Sequence, residues 1–480
     1  MRQQLKRDAV RGIGWAFVSS ASVRVLQVIT ILTLAKLLVP ADFGVFALAT
    51  LIVNAVMIFR DVGFAQVLIY RQSDVEKSAN TAFVLSLLSS AMLGGLLFAS
   101  APVLGRAFGI PAIVLPVRVM SAAFVLSGMA NVPLALLDRQ FRFERRAIPE
   151  IAAAFTYAVV SIVLASAGLG AWSLVVGWIA MTVVSTVGIW VVSAWRPALE
   201  FDWGEARVIV GYGKHLMLAS LATFAFFQVD NASVGKWLGV AALGFYSMAF
   251  TVCNMPATNL AHVVNRVMFP TYSRIQDDLP EMRRVYLRTV KYISVAAFPA
   301  AIGILVLAGP IIRVFYGEKW VPAIPLFYVL ALYGLVRSIG CTASAVFMST
   351  GRPAFVRRVS LLQLLIAVPL VYPIAREFGT VGVAILFTGA YSVGTVYALG
   401  KVRQILGIEV LSYARVVSLP LVAAALAGLT GWIVCLGLGP ASWTGVAASG
   451  VMLGSVYGTS VYLLDRSMYP ELTGLLHRSK

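Results

Sequence analysis

Four basic side chains in this sequence, each within a long apolar stretch, are of the type that binds phosphate. They are Arg24, Arg118, Lys214 and Arg337. A cationic side chain at the centre of a bilayer costs about 2.5–3.5 kcal/mol on insertion scales, so it is expected to face water or a polar partner. Guanidinium and ammonium groups make charge-assisted hydrogen bonds to phosphate oxygens. The pattern predicts a cationic cavity inside a membrane protein, suited to an anionic headgroup such as a pyrophosphate.

Each of these side chains also has a purely structural explanation. Arg118 is predicted within one helical turn of the outer membrane surface, and Lys214 within about one turn of the cytoplasmic surface, so either could extend to water. Arg24 and Arg337 cannot readily reach a surface. For these two the alternatives are a cavity-lining role or a pairing with a helix carbonyl or a buried acid.

Other charged groups near the apolar stretches are less informative. Lys36 and Lys236 occupy outer helix ends and are interpreted most simply as interface anchors. Asp61 and Asp230, each at a predicted helix end, are candidates for binding a coupling proton or sodium ion, or for pairing with a buried arginine. A carboxylate at a helix end is also an ordinary cap, and the residues by themselves leave these alternatives open.

The sequence contains no recognisable catalytic or metal-ligating constellation. It has no HExxH, GxSxG or GxxxxGK[ST] pattern, and its three histidines are scattered. The three cysteines lie far apart in apolar stretches, which predicts neither a disulfide framework nor a metal clip. We therefore expect a protein that is not an enzyme and that needs no cofactor or metal. Without an ATP site, transport would run on an ion gradient, the membrane potential or the substrate's own gradient.

The composition is that of a polytopic membrane protein. Of the 480 residues, 60% are hydrophobic and 12% are charged, against roughly 45–50% and 25% in soluble domains. Apolar runs long enough to cross a bilayer as helices recur throughout, and they are apolar on every face, unlike barrel strands. We predict an all-α fold of fourteen transmembrane helices with both termini on one side. The predicted spans are 15–38, 43–59, 79–100, 115–137, 148–167, 171–194, 211–229, 241–263, 290–312, 325–348, 359–376, 381–399, 416–437 and 444–464.

The distribution of basic residues tests this topology, because lysine and arginine in short loops are retained on the cytoplasmic face. The side shared by the termini carries 28 of the 38 basic residues, the opposite side carries five, and the remaining five lie within spans. The knot "RQFRFERR" at 139–146 is thereby interpreted as a cytoplasmic anchor. The net charge of +18 is explained by topology and anionic membrane lipids, with no nucleic acid partner.

Internal repetition divides the chain into two similar halves. A shift of 200 residues lays 35–54 on 235–254 and matches Gly44 with Gly244 and Asn54 with Asn254. Parallel repeats of this kind enclose the substrate route in many transporters. We predict a six-helix lobe over 1–205, a second six-helix lobe over 206–412, a central cavity, and an additional helix pair with a cytoplasmic tail over 413–480.

Several segments resemble the Wzx-like lipopolysaccharide and exopolysaccharide flippases, in the polysaccharide transporter family of the multidrug/oligosaccharidyl-lipid/polysaccharide (MOP) superfamily. The resemblance covers about the first 400 residues. The segments that carry it are "LAKLLVPADFGVFALA" (34–49), "RDVGFAQVLIYR" (60–71), "VPLALLDRQFRFE" (132–144), "GLGAWSLVVG" (168–177), "VDNASVGKWLGVAALGFYSMAF" (229–250), "FPTYSRIQDD" (269–278) and "STGRP" (349–353).

This resemblance implies export of an undecaprenyl-pyrophosphate-linked oligosaccharide across the bacterial inner membrane by alternating access. It also implies that an arginine in the first helix lines a cationic cavity, and Arg24 matches by placement. A polysaccharide polymerase and its chain-length machinery are candidate partners, and the termini are expected in the cytoplasm.

Three other functions compete with this one. A cation-coupled multidrug exporter on the same scaffold would favour buried acids in its cavity, whereas this sequence offers mainly bases. A non-transporting scaffold subunit of a glycan-assembly complex would favour uninterrupted helices without buried charge. A membrane glycosyltransferase would favour a long outer loop with paired acids, which the sequence does not contain.

Overall fold

The fold, described from a computed structural model, is all-helical. The structure describes residues 19, 22–60, 68, 75–140, 142–198, 200–439 and 442–464, and no strand occurs among them. The principal helices are α1 (22–37), α2 (Pro40–Arg60), α3 (Val75–Phe108), α4 (Val114–Arg139), α5 (Phe143–Ser166), α6 (Ala171–Val192), α7 (Trp203–Leu238), α8 (Val240–Val263), α9 (Leu279–Ile311), α10 (Ile324–Ser349), α11 (Ala354–Leu406), α12 (Val410–Leu438) and α13 (Trp443–Leu464).

The helices have the length and composition of membrane spans. Within the described residues, eleven helical segments are long and apolar enough to cross a bilayer. One of them, α11, has 53 residues and contains two of the predicted spans. The prediction of an all-α polytopic membrane protein is confirmed, whereas the count of fourteen spans stays a prediction.

The long helix α11 is divided by a backbone turn. Gly379 has φ 60° and ψ −149°, a conformation that interrupts helical geometry, and glycine adopts it without the steric cost that a side chain would add. This glycine separates the predicted spans 359–376 and 381–399. The interruption therefore lies where the sequence predicts the end of one span and the start of the next.

The chain forms two compact units, Met1–Gly244 and Phe245–Lys480. Each contains a 3₁₀ turn directly before a helix of 26 residues: Pro111–Ile113 before α4, and Glu318–Ala323 before α10. This recurrence supports the internal repeat. The predicted boundaries at 205 and 412 are defined by repetition rather than by packing, and they stay a prediction.

The first unit is built from antiparallel helix pairs. In it α3 packs against α4, α5 against α6, and α2 against α4, α6 and α7. A core at one end includes Leu68, Phe83 and Ile209, and a second core includes Leu34 and Leu174. Burial of these apolar side chains against one another holds the helices that form the wall of the cavity described below.

Polar groups attach the start of α7 to the start of α3. The side chain of Asp202 caps α7 by accepting a hydrogen bond from the Glu205 backbone N–H at 2.8 Å, the pattern expected from "DWGE". Its other carboxylate oxygen lies 3.0 Å from Lys77 Nζ. Ser78, which is buried, donates a hydrogen bond to Glu205 at 3.0 Å. A capping sequence thus also fixes where α7 joins the unit.

The second unit has its own core. There α9 packs against α10, α12 and α13, and α10 packs against α11. This core includes Tyr272 and Tyr286, and Tyr413 packs against it. The Tyr286 hydroxyl lies 3.2 Å from that of Thr342. The helix α9 begins at a cap like that of α7, because the Asp278 side chain accepts from the Glu281 backbone N–H at 3.0 Å.

Two glycines make a reciprocal close contact at the starts of α2 and α8. A Cβ atom on Gly44 would lie 1.7 Å from the carbonyl oxygen of Val240, and one on Gly244 would lie 1.8 Å from that of Pro40. The 200-residue shift pairs Pro40 with Val240 and Gly44 with Gly244. Gly44 therefore faces the carbonyl of Val240, and Gly244 faces the carbonyl of the equivalent residue, Pro40. A twofold-symmetric contact between repeats requires this reciprocity.

We predict that Gly44→Ala and Gly244→Ala each destabilise the protein. A methyl group has no room there unless the backbone moves, and overpacking of this kind typically costs about 1–3 kcal/mol. The measurement is the apparent melting temperature of the purified protein in detergent. Gly95→Ala on α3 is the matched control, because its Cβ would meet no atom within 4 Å. Equal melting temperatures for Gly44→Ala and Gly95→Ala would contradict the contact.

Candidate functional site

A cavity of about 750 Å³, lined by both apolar and polar side chains, lies inside the first unit. Among the described residues, its wall comes from α1, α2, α4, α5 and α6, together with Ser19. The charged side chains in this wall are Arg24, Arg60 and Glu150. Hydroxyl and amide groups, three aromatic rings and small apolar residues complete it. The wall therefore offers both charge and neutral hydrogen-bonding groups in an otherwise apolar protein.

Arg24 lies near the start of α1 and lines the cavity, which is the placement that the sequence analysis favoured for it. The side chain is half-buried, and Nη1 donates a hydrogen bond to Gln27 Oε1 at 3.3 Å. Gln27, one turn further along α1, lines the same cavity. A neutral amide partner leaves the positive charge of Arg24 uncompensated by this contact. Binding of substrate by Arg24 stays a prediction.

Arg60 is a cavity residue that the sequence analysis did not select. It is the last residue of α2, and only 5% of it is exposed. Nη1 donates a hydrogen bond to Ser127 Oγ on α4, and the guanidinium lies 5.9 Å from the centre of the Phe124 ring. The tally of loop charges placed Arg60 on the cytoplasmic side because it directly follows the apolar run 43–59. The available signal was that Arg60 directly continues the apolar run, so that the same helix can include it.

Glu150 brings a carboxylate to the same wall, and both of its oxygens are engaged. Arg146 Nε lies 2.6 Å from Oε1, and Ser19 Oγ donates to Oε2 at 2.9 Å. Arg146 also holds Asp138 on α4, with Nη1 at 2.8 Å from both carboxylate oxygens. Arg146, from the basic knot at 139–146, therefore joins two helices. The sequence analysis overlooked Glu150, although an arginine four residues before a glutamate is a recognised helical pair.

The described wall carries more positive than negative charge. It contains two arginines and one glutamate, and the glutamate is offset locally by Arg146. Inside a protein of low dielectric constant such an excess is felt strongly by a ligand. The cavity is therefore chemically suited to an anion.

Among the predicted cations, Arg118 contacts other groups, and Lys214 has no described side chain. Arg118 on α4 is half-buried. Its Nε donates to the Phe98 carbonyl oxygen at 3.4 Å, and its guanidinium lies 5.0 Å from the centre of the Phe98 ring. Lys214 lies on α7, and its side chain is outside the described part of the structure. No described contact links Arg118 or Lys214 to the wall of this cavity. Their roles in substrate binding stay predictions.

Arg337 belongs to the second unit. It lies at the middle of α10 and is half-buried. Its guanidinium is close enough to Tyr391 on α11, and to Cys341 one turn further along α10, to act on both electrostatically. This environment combines a cation with polar groups at mid-helix. The prediction that Arg337 binds the substrate is not tested by it.

The two predicted coupling acids have different outcomes. Asp230 is buried on α7, and its Oδ1 accepts hydrogen bonds from the backbone N–H of Asn231 at 2.7 Å and from its side-chain amide at 3.2 Å. Asp61 lies outside the described residues. Within the described ranges, no three His, Cys, Asp or Glu residues are grouped closely enough to hold a metal ion. Ion coupling by either aspartate stays a prediction.

Comparison with protein families identifies the chain. Residues 33–325, more than half of the sequence, match the family described as "Polysaccharide biosynthesis protein". The chain belongs to this polysaccharide biosynthesis family. The matched range includes α2 to α9 completely, and with them most of the cavity wall. The resemblance inferred from the sequence segments is confirmed.

A curated relative matches most of this family member. It is the lipopolysaccharide biosynthesis protein WzxC of Escherichia coli strain K12, which is 22% identical over 419 residues, covering 87% of this chain and 85% of WzxC. Its name assigns WzxC to lipopolysaccharide biosynthesis.

Two solved structures share the fold of this polysaccharide biosynthesis family member. The lipid II flippase MurJ, in an inward closed conformation, aligns with a TM-score of 0.73 and 14% identity over 94% of this chain and 99% of MurJ. A multidrug resistance transporter of the MATE family and MOP superfamily, in an inward-facing conformation, aligns with a TM-score of 0.64 and 17% identity over 82% of this chain and 98% of its own. At these identities the likeness shows the fold alone.

We predict that Arg146→Met destabilises this family member by about 1–3 kcal/mol, because it leaves two neighbouring carboxylates without their shared cation. Thermal unfolding of the purified protein in detergent measures the effect. Arg142→Met is the matched control, since Arg142 is exposed in the same basic knot. If both variants melt at the wild-type temperature, the contacts of Arg146 contribute nothing measurable.

Proposed function

We propose that this protein is a flippase for an undecaprenyl-pyrophosphate-linked oligosaccharide. It carries the lipid from the cytoplasmic to the periplasmic leaflet of the bacterial inner membrane by alternating access, for assembly of exopolysaccharide, lipopolysaccharide or capsule. The observation that carries the proposal is the cavity lined by Arg24 and Arg60 inside an apolar helical unit.

The chemistry of the cavity fits the lipid's headgroup. Arginine binds phosphate oxygens through a planar fork of donors, and removal from bulk water strengthens each such bond. In the proposed mechanism the diphosphate binds Arg24 and Arg60, and Arg337 of the second unit is a further binding cation. The sugar moves through the hydrated cavity while the prenyl tail stays in the bilayer. Neither part then enters a medium in which its solvation would be unfavourable.

Family membership supports the same function. The chain matches the polysaccharide biosynthesis family, and its relative WzxC is named for lipopolysaccharide biosynthesis. The similar structure of MurJ belongs to a flippase of lipid II. The family and these proteins are named for biosynthesis and lipid flipping, and none of them for a catalysed reaction.

A multidrug exporter is the second candidate, because the similar MATE transporter has that role and Glu150 lines the cavity. An acid in the cavity is what a cationic drug would need. In this protein, however, both Glu150 oxygens accept hydrogen bonds, one of them from Arg146. The wall retains Arg24 and Arg60, which would repel a cation. The balance of charge therefore favours the anionic lipid.

Topology and partners complete the proposal. The excess of basic residues on one side supports cytoplasmic termini. Anionic lipids of the inner membrane would bind the basic loops on that side. A polysaccharide polymerase and its chain-length machinery are the proposed downstream partners, since they act on the flipped product.

We predict that Arg24→Ala and Arg60→Ala each reduce lipid export strongly. Loss of one hydrogen bond to a charged group is worth about 1.5–3 kcal/mol, or roughly 10- to 100-fold in affinity. The measurement is the amount of lipid-linked sugar in each leaflet of a strain that depends on the protein, at equal protein level. Arg106→Ala, an exposed arginine at the end of α3, is the control.

The variant Arg337→Ala, tested in parallel, decides whether the second unit also supplies a binding cation. Normal export by the Arg24→Ala/Arg60→Ala double variant would contradict the proposed function of the cavity. Export of a lipophilic cation by the wild type, without movement of lipid-linked sugar, would favour the multidrug exporter.

A further inference from the structure

The part of the cavity away from Arg60 has a different chemical character. Its wall includes the rings of Phe46, Tyr157 and Trp178 and the hydroxyl groups of Thr50 and Thr182. None of these side chains is charged at neutral pH. The cavity therefore has an arginine end and an aromatic end, and the proposed function so far uses only the first.

Helix direction separates these two ends. α2 and α6 start on the same side, because Gly170, just before α6, lies against the side chain of Asp42 in the first turn of α2. Phe46 and Thr50 are 14 and 10 residues before Arg60 on α2. At the helical rise of 1.5 Å per residue, their backbones lie roughly 21 and 15 Å from that of Arg60.

A shorter separation in the same direction holds along α6. Thr186 donates a hydrogen bond to the Leu126 carbonyl oxygen, and Arg60 donates to the next residue of α4, Ser127, so Thr186 and Arg60 lie at the same depth. Thr182 and Trp178 precede Thr186 by one and two turns, roughly 6 and 12 Å. The aromatic end begins about one helical turn beyond the guanidinium of Arg60.

The threonines in this region offer acceptors rather than donors. Thr50 donates its only hydroxyl hydrogen to the Phe46 carbonyl oxygen at 2.8 Å, and Thr182 donates to that of Trp178 at 2.9 Å. Thr30 on α1, which also lines the cavity, does the same toward Leu26 at 2.6 Å. A hydroxyl has one donor and two lone pairs. These groups therefore present lone pairs to the cavity.

Lone pairs and aromatic faces select a particular kind of ligand. A neutral sugar has hydroxyl donors around its ring and apolar C–H faces that stack on aromatic rings. A carboxylate or phosphate has only acceptors and would meet the lone pairs of the threonines without a hydrogen atom between them. Burial of such an anion against these lone pairs is unfavourable. The two ends thus suit the two parts of a glycosyl diphosphate.

We propose that the aromatic end, formed by Phe46, Thr50, Trp178 and Thr182, binds an uncharged sugar attached directly to the diphosphate at the arginine end. This inference rests on the proposed function and deepens it, because it assigns a substrate class. The protein selects lipid diphosphates whose first sugar is neutral and discriminates against a first sugar that is a uronic acid.

The experiment measures binding of three soluble probes by calorimetry, with the full-length protein in lipid nanodiscs. The probes are farnesyl diphosphate, farnesyl diphosphoryl glucose and farnesyl diphosphoryl glucuronic acid. We expect the glucosyl probe to bind about tenfold or more tightly than farnesyl diphosphate, since its hydroxyl groups donate new hydrogen bonds to the threonine lone pairs. The glucuronosyl probe is expected to bind no more tightly than farnesyl diphosphate.

Two variants test the assignment of residues. Trp178→Leu and the isosteric Thr182→Val should each bring the affinity ratio of the glucosyl probe to farnesyl diphosphate toward one. Trp172→Leu, on the same helix but outside the cavity wall, is the matched control and should keep the wild-type ratio. Arg24→Ala should weaken all three probes together.

The outcomes separate this inference from the proposed function. If farnesyl diphosphate binds in an Arg24-dependent way but the glucosyl probe gains nothing, the sugar site is wrong and the diphosphate site stands. Retention of the wild-type ratio by both Trp178→Leu and Thr182→Val, or equal binding of the glucosyl and glucuronosyl probes, would also overturn the sugar site. If no probe binds in an Arg24-dependent way, the proposed function itself fails.

Discussion

The cost of holding a charge in an apolar medium is the constraint on which the described architecture depends. A guanidinium buried among hydrocarbon is tolerated only with hydrogen-bond partners, water or a counter-charge. Arg60 meets this requirement through Ser127, and Arg146 through Asp138 and Glu150. Each contact joins different helices or turns of the first unit. The polar groups that satisfy the arginines are therefore also the groups that shape the cavity.

Small residues complete that shape by letting helices approach closely. A Cβ on Gly128 would lie 2.2 Å from Ser90 Oγ, and one on Gly177 would lie 1.9 Å from Ser161 Oγ. The contacts bring α3 against α4 and α5 against α6, as small residues do at helix interfaces in membranes. Larger side chains at these positions would separate the pairs. Because the helices of each pair pack closely, little space is left between them, and the open space lies in the cavity.

In the proposed function, the cavity combines binding of an anion with recognition of a neutral ligand in one set of helices. Its positive charge comes from the side chains of Arg24 and Arg60, whereas its neutral character arises because hydroxyl hydrogens are already bonded to helix carbonyls. The second effect is a consequence of helical geometry, which brings the carbonyl of residue i−4 within reach of a threonine hydroxyl. The charge of the cavity is therefore set by the types of its side chains, whereas the direction of its hydrogen bonds is set by helical geometry. Substrate selection in such a site does not require a loop or a catalytic residue.

Much of the fold was predictable from the sequence because bilayer thickness imposes a length on each helix. The predicted spans 43–59, 115–137 and 171–194 lie within or close to α2, α4 and α6. The repeat was also visible, since Gly44 and Gly244 occupy equivalent positions. Arg24 was recognised as a cavity candidate because no other charged residue lies so deep in the first apolar run. These features depend on composition, periodicity and local spacing.

The tertiary structure decided which charged groups share a cavity. Arg60 lies at the end of an apolar run and was counted as a loop residue, because span length alone does not show that α2 continues through it. Glu150 and Arg118 are similar cases, since the rotation of each helix about its axis determines whether a side chain faces the cavity or its neighbour. That rotation depends on packing between helices distant in sequence. The sequence by itself thus determined that this is a membrane protein with buried cations, and only the packed helices determined which of them face the same space.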